Sequence, residues 1–91
     1  MTETLNCSIY KSPRVEEMYL YVPGKDQFDD VPEALMTRFG LPTFVMELDL
    51  HKGRSLARED VVQVMRNLSK QGFHLQLPPD FKPQLYFGNE D

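Results

Sequence analysis

Glu47, Asp49 and His51 recur at period two near the middle of the chain. On a strand that spacing puts two carboxylates and an imidazole on one side, and a divalent cation accepts such ligands. No fourth ligand accompanies them, and the polar side of a strand often has this composition, so no metal site is assigned. Cys7 is the single cysteine, and its thiolate with His51 or His74 as base would be a nucleophile. Its neighbours at period two are Leu5 and Ile9, which predicts a buried and inert thiol instead. Neither a Gly-x-Ser-x-Gly elbow nor a glycine-rich phosphate loop is present. No catalytic residue and no cofactor are therefore expected.

What is left is contact chemistry. Tyr10, Tyr19 and Tyr21 lie on strand-like stretches, out of phase with the aliphatic residues beside them, as do Glu47, His74 and Gln76. If the aliphatic residues face a helical layer, these six share the opposite face of the sheet. Tyrosine brings a large rigid ring and a hydroxyl, which suits protein interfaces and base stacking. The expectation is an open tyrosine face. It is either a contact surface or covered by Phe81, Leu85, Tyr86 and Phe87 of the C-terminal tail. A one-residue slip in strand phase would exchange the two faces.

The elements that position these residues are well punctuated. Residues 5–11 read as a strand with Leu5, Cys7 and Ile9 on one side. Ser12-Pro13-Arg14 starts a turn, and residues 18–22 form a second strand, so an antiparallel hairpin is expected. Asp30 and Glu33 have the spacing of a capping box, with Pro32 in the first turn. Val31, Leu35 and Phe39 then recur every four residues, which predicts a helix over 30–39. Gly40 ends it in the left-handed conformation, and Pro42 forbids its resumption. Phe44, Met46, Leu48 and Leu50 alternate with Val45, Glu47 and Asp49 in a strand over 43–50. Ser55 is the expected cap of a second helix reaching about Gln71, with Ala57, Val61, Val64, Met65 and Leu68 as its apolar stripe. Gly72 stops it, and Phe73, Leu75 and Leu77 alternate with His74 and Gln76 in a last strand before Pro78-Pro79. The expected core is Leu35, Phe39, Met46, Leu48, Val61, Met65 and Leu68.

Composition narrows the class of partner. The chain has 91 residues, enough for one modest core, and a net charge of -4. Acids dominate residues 16–49 and bases dominate 52–70. Phosphate binding is driven by basic clusters, so neither nucleic acid nor an anionic membrane is an expected partner. One cysteine builds no disulfide framework. Met1-Thr2-Glu3 begins no secretory signal, and the longest apolar run, residues 18–22, is too short to span a bilayer. A cytoplasmic protein is expected by elimination.

With these residues placed, the chain resembles the YcgL domain family of small bacterial proteins. The resemblance rests on Cys7-Ser8-Ile9-Tyr10-Lys11-Ser12, Tyr19-Leu20-Tyr21-Val22, Val31-Pro32-Glu33-Ala34-Leu35, Phe39-Gly40, Phe44-Val45-Met46 and Leu75-Gln76-Leu77-Pro78-Pro79. It implies a compact α/β domain of gammaproteobacterial type. It brings no activity, ligand or catalytic residue with it.

The fold class expected is α+β, one domain over residues 1–91 with 1–4 and 88–91 as flexible ends. A short mixed sheet carries two helices on one face, in the order strand, strand, helix, strand, helix, strand. The expected function is a non-catalytic protein-interaction or scaffold module with an unknown protein partner, itself a monomer or weak homodimer. An RNA-associated accessory protein is the first alternative. The acidic charge opposes it, as does a basic helix ridge pointing away from the tyrosines. A small enzyme or ligand-binding domain with an unrecognised site is the second alternative.

Overall fold

The computed structural model describes residues 4–56 and 59–79. Six elements follow in chain order: β1 (Leu5–Lys11), β2 (Tyr19–Val22), α1 (Glu33–Phe39), β3 (Thr43–Leu50), α2 (Val61–Gln71) and β4 (His74–Gln76). The order agrees with expectation, and β1 and β3 have the expected bounds. Ala57 and the tail from Asp80, with the cover expected of it, lie outside the described residues.

The strands form one sheet in the order β3-β1-β2-β4. Each pairing is antiparallel. The sheet is therefore antiparallel throughout, and not the mixed sheet expected from the sequence. β2 and β3 do run in the same direction, but β1 lies between them.

The larger correction concerns the helices, which lie on opposite faces of the sheet. Cys7, Ile9, Tyr21 and Leu50 pack with Val61, Val64 and Leu68 of α2. Tyr10, Leu20 and Val22 pack with Val31 and with Leu35 and Phe39 of α1. β1 and β2 thus sit between two layers, and Ser8, Leu20 and Val22 are wholly buried. The physical reason is visible in Tyr19-Leu20-Tyr21-Val22. All four side chains have large apolar bodies, so both sides of β2 must be covered. Of the expected core, Leu35, Phe39, Val61 and Leu68 are buried, whereas Met46 is 44% exposed. Met46 lies on an edge strand, outside the cluster that α2 covers.

Both helices start later than their sequence signals. Pro32 has φ -57° and ψ 141°, so it is extended, and α1 begins at Glu33 with no side-chain cap. The Val31 N–H is already taken by Phe28 O (3.0 Å) in a tight turn that carries the chain past Asp30. α2 is capped by Asp60, whose carboxylate accepts the Val62 N–H (3.0 Å), and Ser55 stands outside it. Gly72 ends α2 in the left-handed conformation, with its N–H on Asn67 O and Leu68 O. Gly40 also has positive φ, but its ψ of -169° turns the chain directly towards β3.

Candidate functional site

The two helical layers separate the six residues expected on one face. Tyr10 faces α1, where its ring meets Phe28 edge-on at 4.8 Å and Phe44 at 5.5 Å. Its hydroxyl accepts the Asp26 N–H (2.7 Å) and reaches the Asp26 carboxylate (3.4 Å). Glu47 shares that side, paired across the sheet with Ser8, and is exposed. Tyr19, Tyr21, His74 and Gln76 belong to the α2 side. Tyr21, His74 and Gln76 are buried there, and the Tyr21 hydroxyl donates to Gln76 Oε1 (2.8 Å). No common tyrosine face exists.

Under α2 the structure assembles a polar cluster that the sequence does not announce. His74 Nε2 lies 2.6 Å from Glu59 Oε1, and His74 Nδ1 lies 2.9 Å from Asn67 Nδ2. Asn67 Oδ1 in turn accepts from Gln63 Nε2 (3.1 Å), whose Oε1 accepts from Arg66 (3.4 Å). Arginine can only donate and a carboxylate can only accept, so the chain runs one way and holds His74 as the Nε2–H tautomer. The Tyr21 ring closes over the imidazole edge-on at 5.4 Å. A helix starting near Ser55 with Val61, Val64, Met65 and Leu68 in its apolar stripe would put Glu59 on its outer side. Because α2 starts at Val61, that phase does not reach Glu59, and it turns inward. The legible signal is Gly72: a reversal there returns β4 along α2 and sets His74 against Asn67. Both imidazole nitrogens are occupied, so neither is left to take a proton from a nucleophile. The cluster therefore reads as a satisfied polar network that runs from the buried His74 out to the exposed Gln63 and Arg66.

The other chemistry-bearing residues are placed apart. Asp49 accepts from Asn6 Nδ2 (2.9 Å), and His51 Nδ1 accepts the Gly53 N–H (3.2 Å). Cys7 is buried within the α2 cluster, and burial, then the Asp49 charge, pushes its thiol up to about 11 against an opposing effect of Arg54. A cleft of about 270 Å³ opens beside α2, lined by Leu5, Lys52, Val62, Met65, Arg66 and Ser69.

Exposed apolar surface gathers elsewhere, on and just before β3. Leu41, Phe44, Val45 and Met46 are exposed, Leu41 to 83% and the other three to 41–44%. Among the described residues β3 pairs only with β1, so its outer edge presents unpaired backbone donors and acceptors. Fold and site together define a small α+β domain whose most exposed apolar residues are collected at one sheet edge. The chain belongs to the YcgL domain family, whose model matches residues 7–79. YcgL domain-containing proteins of Pseudomonas paraeruginosa and Azotobacter vinelandii are each 58% identical over 73 residues, 80% of this chain and 75% of the relative. A YcgL domain-containing protein of Pseudomonas putida is 56% identical over the same length and shares. No helix among the described residues is long and apolar enough to cross a membrane.

Proposed function

We propose that this YcgL domain is a non-catalytic protein-interaction module of the cytoplasm, and that it works through the β3 edge. Tyr10 and Tyr21 cannot carry this role, because their rings are spent on the two core layers, and Tyr19 is half-buried on the α2 side. The observation that supports the reading is the exposure of Phe44, Val45 and Met46 on a strand that has, among the described residues, one unpaired side. An extended segment adding to that side would satisfy the backbone and bury the apolar side chains together. Opposite the exposed Glu47 it would present a basic side chain.

In-cell photo-crosslinking tests this. A photoreactive residue at Val45 is expected to give discrete adducts, and the same residue at the exposed Gln63 of α2 is expected to give none. Absence of adducts at Val45 would overturn the reading.

A further inference from the structure

We propose that the occupant of the β3 edge is β3 of a second copy, paired antiparallel about a two-fold axis beside Val45 and Met46, with Lys25 of each chain meeting Glu47 of the other. The inference rests on the reading of that edge as the interaction surface.

The bulge in β3 carries the argument. Ile9 pairs with Met46 but Tyr10 pairs with Phe44, so Val45 is an extra residue on β3. A bulge on an edge breaks the alternation that a regular partner strand needs. A second copy brings the same bulge, and the two-fold axis sets one against the other. Phe44 then faces Glu47 of the second copy, and Thr43 faces Leu48. On a regular strand, residues three apart point to opposite faces and could not be paired in this way. Here they can. Phe44 and Glu47 both lie on the α1 side, beside Tyr10 and Ser8. Leu48 lies on the α2 side with Cys7, and Thr43 lies there too, because its partner Lys11 pairs with Tyr19.

Charge fits the same register. The Lys25 ammonium stands 4.8 Å from the centroid of the Phe44 ring. Each Phe44–Glu47 pair therefore brings a lysine to an exposed carboxylate, twice per dimer. Sliding the pairing towards Leu50 would instead set Glu47 against its own copy or against Asp49 of the second copy, which like-charge repulsion disfavours. At the centre, the exposed Val45 and Met46 of both chains bury one another.

Sedimentation equilibrium on the purified full chain, with charge-swapped variants, tests the proposal. The wild type is expected to shift with concentration from 10.6 kDa towards twice that mass. Lys25→Glu alone and Glu47→Lys alone should each weaken the dimer by about tenfold or more, and the double variant should restore it. Thermal midpoints measured alongside confirm that each variant is folded. A wild type that stays monomeric at every concentration would overturn the proposal, as would a dimer indifferent to both single changes. If the purified chain is monomeric while Val45 still crosslinks to proteins of other mass in cells, the interaction reading stands and the second-copy inference falls.

Discussion

Cys7 shows how much one residue's neighbours decide. Leu5 and Ile9 at period two predict its burial, and the structure packs it under α2. Its thiol rises from 9.0 to about 11 in the fold, with burial the main cause. The folded chain therefore keeps a proton that the unfolded chain releases, so stability falls as pH rises from about 9 to about 11. Below that window the contribution is fully present. The loss attributable to Cys7 should be on the order of 2–3 kcal/mol. Denaturant midpoints at pH 7.5, 9 and 10.5 should show most of this loss for the wild type and a shallower slope for Cys7→Ala. Burial also raises Tyr10, which adds a decline in the same direction to both proteins. Equal slopes would show that Cys7 is not shielded as the structure has it.

Among the elements, the turn after β1 is closed by backbone bonds from Ser12 N–H to Met18 O (3.0 Å) and from Met18 N–H to Val15 O (3.3 Å), and one hydroxyl ties it to α1. Ser12 Oγ accepts the Arg14 N–H (3.1 Å) and the Val15 N–H (2.9 Å) and donates to Phe39 O at the end of α1. It thus joins the β1–β2 connection to the helix that covers that side of the sheet. The sequence marks Ser12-Pro13-Arg14 as a turn from local chemistry. The bond to Phe39 is long-range, and no local pattern contains it. Ser12→Ala should cost about 2–3 kcal/mol, since the hydroxyl makes three bonds and its loss leaves buried groups unsatisfied. Chemical denaturation measures it, and a cost below about 0.5 kcal/mol would place Ser12 among ordinary surface positions. Helix starts were less legible than strands for a related reason. Asp30 and Ser55 are sound caps in isolation, but Pro32 is extended in the fold and Asp60 caps α2.

At the scale of the molecule, the helix–sheet–helix layering turns tyrosine from a surface residue into a core residue. Tyr10 is 2% and Tyr21 5% exposed, one under each helix. Tyr10→Ala and Tyr21→Ala should therefore each destabilise the domain by about 3–5 kcal/mol, as truncation of buried aromatics does. Tyr10→Phe should cost only about 1 kcal/mol, for the bond to the Asp26 N–H. Thermal and denaturant unfolding decide this, and full stability in Tyr21→Ala would show that its ring is not packed in the α2 layer as the structure has it.

Alternation and punctuation by themselves determined the six elements, their order, the bounds of β1 and β3, and the burial of Cys7, Phe39 and Leu68. These depend on neighbours within a few residues, where period and turn chemistry act. Which face of the sheet each helix covers depends on crossings between distant segments. A strand such as Tyr19-Leu20-Tyr21-Val22 offers apolar bulk to both sides and does not choose between them. The tertiary structure alone decided that choice. In doing so it dispersed the tyrosine face, drew Glu59, Asn67 and His74 into one part-buried network, and left β3 as a sheet edge with exposed apolar residues.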